Sequence, residues 1–248
     1  MPYEIILLMS MAVLGSAGAM LGAVLIALAP ERWRAPALPL LLAYSAGTML
    51  AAALLGMIPK AVTSLPPMHA GLAVLAGLLF FFGLERLLVW HHCHDQSCHV
   101  RQSTGRMLLV GDAFHNFVDG IVIAAAYLTA PEMGWAATVA VIAHEVPQEM
   151  GDYAVLLESG MGRWQALGWN LVSALATLPG AWLGYVMLSE VKSWVPYLLA
   201  MSAASFLYIA LGDLLPSLHK RKQHSVLFML MLVLGIATIV LIRMEHQH

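Results

Sequence analysis

The sequence predicts an all-α, polytopic membrane protein of eight transmembrane helices, and three observations predict it. Of 248 residues, 60% are hydrophobic and 10% charged, whereas soluble domains carry about 45–50% apolar and about 25% charged residues. That leaves too little polar material to coat a soluble fold of this size. Second, residues 5–29 and 164–189 contain no charged side chain, and a charge-free run of about 18 residues or more is long enough to span a bilayer. Third, no closed-barrel alternation is present, so backbone groups in lipid must satisfy one another within helices.

Turn-forming and charged residues divide the chain into eight expected spans: 4–29, 36–58, 68–90, 107–129, 134–157, 164–189, 195–216 and 225–243. The first is expected to be a retained helix. It lacks the positive leading segment of a cleaved signal, and its apolar run of 25 residues is too long for one. Gly15, Gly18 and Gly22 would let it approach a neighbour closely. The breaks that follow are 30–34, with Pro30, Glu31, Arg32 and Arg34; 59–67, from Pro59 and Lys60 to Pro66 and Pro67; and the polar stretch 91–106. The later ones are Pro131 with Glu132; 159–163, with two glycines and Arg163; 189–193; and 217–224. Neither an internal repeat nor a soluble domain is evident, so residues 1–248 read as a single transmembrane domain.

With the amino terminus placed outside, Arg32, Arg34, Arg86, Arg101, Arg106, Arg163, Lys220, Arg221 and Lys222 fall on inner loops and span ends. Lys60, Lys192 and Arg243 fall on the outer side. The division is nine to three among the twelve lysines and arginines, and the excess of positive residues on cytoplasmic loops then places both termini outside and 91–106 in the cytoplasm. No basic stripe exists, which argues against nucleic-acid binding. The only cysteines are Cys93 and Cys98, so no disulfide framework is implied.

Six carboxylates lie well inside the spans: Asp112, Asp119, Glu145, Glu149, Asp152 and Asp213. Five of them occupy the fourth and fifth spans, which contain no lysine or arginine to pair with them. An acidic group at mid-membrane costs about 2.5–3.5 kcal/mol on insertion scales. Several such costs exceed what a marginally stable fold can absorb, and a bound cation is the simplest compensation. Helical spacing sorts the groups further. His115 and Asp119 are four apart and share a face, with Asp112 and Asn116 beside them. His144 with Gln148, and Glu145 with Glu149, form two more such pairs, and Asp152 extends the second. Two helices each offering imidazole and oxygen donors can hold zinc, iron, manganese or a similar ion. Pro147 is expected to interrupt the fifth helix and free the Ala143 carbonyl toward a cavity.

The strings His115-Asn116-Phe117-Val118-Asp119-Gly120 and His144-Glu145-Val146-Pro147-Gln148-Glu149-Met150-Gly151-Asp152 resemble the ZIP (Zrt/Irt-like) family of metal transporters. The branch concerned carries HNFxDG and HExPHExGD in its fourth and fifth spans. The first string matches fully and the second departs at Gln148, where the branch has histidine. The resemblance extends to the span count, the outside termini and a histidine-bearing loop after span three. It implies a paired metal site between the fourth and fifth helices. His115, Asp119, His144 and Gln148 would hold one ion, and Asn116 and Glu145 the neighbouring position, with residue 148 between them. It further implies a thioether contact from Met49, a sixth-span ligand from Asn170 or Ser173, and a supporting or pathway role for Asp213. A neutral amide at 148 cannot bridge two ions as a carboxylate can, so a harder or broader set of ions is expected.

The function expected from charge, spacing and resemblance together is transport of a divalent transition metal into the cytoplasm. Zinc is expected first; iron, manganese and cadmium are the alternatives. The expected setting is the lipid bilayer of a plasma or bacterial inner membrane, an organelle membrane being the alternative, and a homodimer is left open. Two rivals stand beside transport. One is an intramembrane metal-dependent hydrolase, against which the His-Glu-x-x-His motif fails at Gln148. The other is a membrane metal sensor that moves nothing. The tract 91–99 packs four histidines and two cysteines into nine residues, a metal-binding composition that resembles the family's histidine-rich loop. Deleting 91–99 is expected to alter metal release or regulation more than transport itself, which uptake measurements on the deletion variant would check.

Overall fold

The computed structural model describes residues 2–92, 99–187, 193–221 and 225–245. Among the described residues all regular structure is helical, and it forms eight rods, one for each expected span. α1 runs Pro2–Ala19 and resumes as Leu21–Leu28. α2 comprises Glu31–Ala51, a widened π-helical stretch Ala52–Met57, and Ile58–Ser64. α3 is Pro67–His92, α4 His99–Thr129 and α5 Pro131–Glu158. α6 is Arg163–Ala174 followed by Thr177–Val186. α7 is Val195–Ile209, a second π-helical stretch Ala210–Leu214, and Leu215–His219. α8 is Ser225–Glu245.

Six of these rods are long and apolar enough to cross a membrane by length and composition. The other two are α5, with Glu145, Glu149 and Asp152 in its body, and α6, which is broken at Leu175 and Ala176. The chain is thus an all-α polytopic membrane protein, with α5 set apart by the carboxylates in its body and α6 by its break into two short helices. The interval expected to be a loop at 91–106 is partly helical, because α3 continues to His92 and α4 already begins at His99. Helices commonly run past the apolar segment on which a span is recognised. Apart from helical backbone at its edges, the histidine- and cysteine-rich tract lies outside the described residues.

Contacts at the rod ends show the alternation of direction. At one end Arg34 reaches back to the carbonyls of Ala27 and Ala29 (3.4 and 3.5 Å), capping acceptors left open where α1 stops. Arg221 of α7 pairs with Glu158 of α5 there. α5 ends on Gly160 in a left-handed conformation (φ 98°). The amides of Gly160 and Met161 return to the carbonyls of Leu157 and Leu156 (3.0 and 3.2 Å), a glycine-dependent helix stop. At the opposite end the hydroxyl of Tyr185 (α6) donates to Glu4 (α1) at 3.3 Å, and Tyr197 (α7) meets His69 (α3) at 3.5 Å.

Prolines act differently from expectation. α5 passes through Pro147 as continuous helix, so the interruption expected there is absent, although the proline has no amide hydrogen to give the Ala143 carbonyl. The departures from α geometry occur instead just before Pro59 and Pro216. There the ring excludes the amide hydrogen and crowds the carbonyl four residues back, and the preceding turn widens in response.

The polar centre is held by close backbone crossings. α4 and α6 meet so tightly that a Cβ on Gly120 would lie 2.1 Å from the Thr177 carbonyl oxygen, and one on Gly180 would lie 2.0 Å from that of Phe117. The obstacle is backbone in both cases and cannot rotate away. Gly120→Ala is therefore expected to destabilise the bundle by about 1–3 kcal/mol, the usual cost of overpacking. Gly71→Ala, where a Cβ meets nothing within 4 Å, should leave stability unchanged. Thermal unfolding of the two detergent-solubilised variants checks the contrast.

Candidate metal centre

α4 and α5 lie side by side and bring their polar faces together in the interior. His115, Asp119, His144 and Glu145 each offer one donor atom to a group whose members all lie within 4.8 Å of one another. The Nε2 atom of His115 is 3.1 Å from Glu145 Oε1 and 3.7 Å from Asp119 Oδ2. The Nε2 atom of His144 is 3.0 Å from Asp119 Oδ2 and 3.6 Å from Glu145 Oε1. Asp119, four residues after His115, thus faces both imidazoles across the helix pair.

Each imidazole is oriented by its other nitrogen. Nδ1 of His144 donates to the Ala140 carbonyl at 2.7 Å, which turns Nε2 toward the carboxylates. Nδ1 of His115 lies 3.0 Å from the hydroxyl of Ser202 on α7, and its ring packs on Phe206 with centroids 4.7 Å apart. Hydrogen bonds of this kind set tautomer and direction for metal-binding histidines.

His115, Asp119 and His144 line a cavity of about 620 Å³. Its walls are contributed by Ala52, Gly56, Met57 and Lys60 of α2, the carboxy-terminal half of α4, the amino-terminal half of α5, and Ile239 and Ile242 of α8. All of these stretches lie toward the bundle end that carries Tyr185 and His69. His144 is the most accessible donor, with its side chain 27% exposed, whereas Glu145 is wholly buried. Beyond Glu145, Asp112, Asn116, Gln148, Glu149 and Asp152 are all buried.

Six positions are expected from the sequence to hold metal. The structure brings four of them, His115, Asp119, His144 and Glu145, into one group. Asn116 and Gln148 lie beside it with their amide nitrogens engaged on Asp112. Asn116 Nδ2 and Gln148 Nε2 donate to the same oxygen of Asp112, at 3.1 and 3.2 Å. Asn170 gives its amide to the Glu149 carbonyl at 3.2 Å, and the hydroxyl of Ser173 donates to the Asn170 carbonyl at 2.9 Å. Met49 is buried in the apolar core among Leu42, Ala46 and Phe206; the methionines on the cavity wall are Met57 and Met133. Asp213 sits in the widened turn of α7, within electrostatic reach of Glu85 and beside Thr104, and does not join the group. Ser202, Met57 and Thr177, whose hydroxyl lies 3.3 Å from Asn116 Oδ1, are not foreseen from the sequence. Serine, methionine and threonine in apolar spans carry no signal until a neighbour is known.

A family profile described as ZIP Zinc transporter matches residues 90–243, more than half of the chain. The chain belongs to the ZIP zinc transporter family. The match takes in all of α4 and α5 and therefore every donor of the group. Among similar proteins, zinc transporter ZIP13 of Pongo abelii is 34% identical over 177 residues, covering 69% of this chain and 52% of that protein. Zinc transporter ZIP10 of Homo sapiens is 36% identical over 141 residues, covering 52% and 17%, and human zinc transporter ZIP4 is 40% identical over 119 residues, covering 47% and 18%. This ZIP chain thus spans about half the length of the ZIP13 relative and under a fifth of the other two.

Loss of the Ser202 hydroxyl would free the His115 ring without removing a donor. Ser202→Ala is expected to weaken metal binding by about 10–100-fold, the usual effect of deleting a group that orients a ligand. Titration of the purified variant with zinc or cadmium measures it.

Proposed function

We propose that this chain transports a divalent transition metal, zinc first, with iron, manganese and cadmium as further substrates, through the group formed by His115, Asp119, His144 and Glu145. The observation that carries the reading is that two imidazoles and two carboxylates converge within 4.8 Å; Lys60, exposed on the cavity wall, acts on Asp119, but no described ion pair joins a lysine or arginine to the group. The described arginines that form ion pairs do so with Glu31 and Glu158, at the bundle end. A mixed nitrogen and oxygen set suits zinc and its neighbours in the first transition row.

In this reading the metal enters from the cavity, meets His144 first as the most accessible donor, and is then shared among all four groups. The positive-inside assignment makes the cavity end external, so the direction is into the cytoplasm and both termini lie outside. Release requires the site to open toward the opposite end, which movement of the site-bearing helices against the remaining rods would accomplish. Ligand atoms must be deprotonated to hold a metal, so acidification of the cavity side opposes loading. The histidine- and cysteine-rich tract would then receive or sense the ion on the cytoplasmic side.

Gln148 distinguishes this chain from the branch it resembles. Its amide is engaged on Asp112 and supplies no charge to the site, which supports a wider or harder ion preference than histidine at 148 would give.

The test is metal uptake by proteoliposomes containing the purified chain and a metal-sensitive dye. His115→Ala, His144→Ala and Asp119→Asn are each expected to reduce uptake to the level of protein-free vesicles. Gln148→His is expected to narrow selectivity among zinc, cadmium, manganese and iron. Metal binding without any uptake by the wild type would replace the transport reading with a sensor.

A further inference from the structure

Among the described residues that wall the cavity there is one lysine. Lys60, the third residue of the last segment of α2 (Ile58–Ser64), lines the same space as His115, Asp119 and His144. Its side chain is exposed, and its charge reaches Asp119. Apart from these four, the described wall is alanine, glycine, valine, leucine, isoleucine and methionine. Ala52, Gly56 and Lys60 recur at intervals of four along α2, and all three line the cavity. Small residues thus occupy the part of that rod between the lysine and the body of the bundle.

A lysine near a span end commonly lays its stem on apolar surface and puts its charge into headgroup water. That habit accounts for the exposure of Lys60 but not for its place on the route to the metal centre. An ammonium has three donors and no lone pair, so it cannot ligate a metal. Its direct effect on an arriving divalent ion is repulsion, twice that on a monovalent one. On the empty centre the sign reverses, because Asp119 and Glu145 are two carboxylates and a nearby positive charge relieves them. One effect stabilises the empty centre and the other destabilises the filled one, so both loosen binding. A conducting site has the same requirement: it must bind well enough to fill and weakly enough to empty.

We propose that Lys60 is an affinity-setting residue for the metal centre. Its ammonium stands in for the cation at Asp119 while the centre is empty, and it opposes the divalent ion once loaded, so the ion is held more loosely than its donors alone would hold it. The inference rests on the reading that the imidazole group carries metal. Because Lys60 acts through space and not as a donor, it loosens divalent ions alike and leaves the choice among them to the ligands.

The test is calorimetric titration of the full chain in nanodiscs with Zn2+ and with Cd2+. Lys60→Gln and Lys60→Met remove the charge and Lys60→Arg keeps it; thermal unfolding without metal verifies that each is folded. Both neutral variants are expected to bind both metals about 3–30-fold more tightly than the wild type, the range spanned by one unit charge acting on a divalent ion across a cavity. Lys60→Arg should bind as the wild type does. The gap should narrow as salt is raised, since the cavity is open to solvent. A merely structural role would neither follow charge nor fade with salt. Either neutral variant suffices if the other does not fold. The proposal is overturned if folded neutral variants bind as the wild type does or more weakly, if Lys60→Arg behaves as they do, if only one metal responds, or if the gap is unchanged at high salt. Uptake assays separate the two readings. Uptake that His115→Ala abolishes, with affinities blind to the charge at 60, sinks this inference alone. Affinities that follow that charge in a chain without uptake sink the transport reading alone.

Discussion

Negative charge confined between α4 and α5 is the constraint from which the rest of the architecture follows. Asp112, Asp119, Glu145, Glu149 and Asp152 are all buried, in an interior whose apolar part is mainly alanine, leucine, isoleucine and methionine. Burying an unpaired carboxylate in such surroundings opposes folding. A protein whose carboxylates were structural would place arginine or lysine beside them. Here the described arginine ion pairs are kept at the bundle end, Lys60 stands exposed on the cavity wall within electrostatic reach of Asp119, and the buried polar groups around the carboxylates are imidazoles, amides and hydroxyls. These are groups that orient an oxygen or share a cation without cancelling the charge that would attract one.

The surrounding rods serve that centre mechanically. α6 approaches α4 at Gly120 and Gly180, and the close contact brings Thr177 to Asn116 and Asn170 to the backbone of Glu149. α7 supplies Ser202 and Phe206 against the His115 ring. α2 widens into a π-helical stretch beside the cavity, where Ala52, Gly56 and Met57 face the donors. Alanine and glycine from α2, α4 and α5 contribute to the wall, and the space they leave gives the otherwise buried group access to one end of the bundle.

Individual residues show how far the sequence reaches. His115 with Asp119, and His144 with Glu145, are legible because a charged or imidazole group in an apolar helix is costly, and because spacing by four puts such groups on one face. The face that α4 turns to α5 can be inferred, and the four donors do meet. Gln148 reads as a ligand position, and in the structure its Nε2 donates to Asp112. Pro147 reads as a break, but α5 passes through it. In both cases the local chemistry holds and the outcome depends on a neighbour. Ser202 is invisible in the sequence, since its importance comes wholly from a ring 87 positions away in the chain.

Sequence by itself determined that this chain is a helical membrane protein with eight segments, and that its acidic residues concentrate in the fourth and fifth. Hydropathy and the 3.6-residue period are local properties that survive without knowledge of the partner helices. Only the tertiary structure decided which oxygens remain unpaired, which nitrogen of each imidazole points inward, and that Lys60 shares a cavity with the imidazoles. Those outcomes depend on angstrom-scale distances between rods, and such distances are set by packing between residues far apart in the chain.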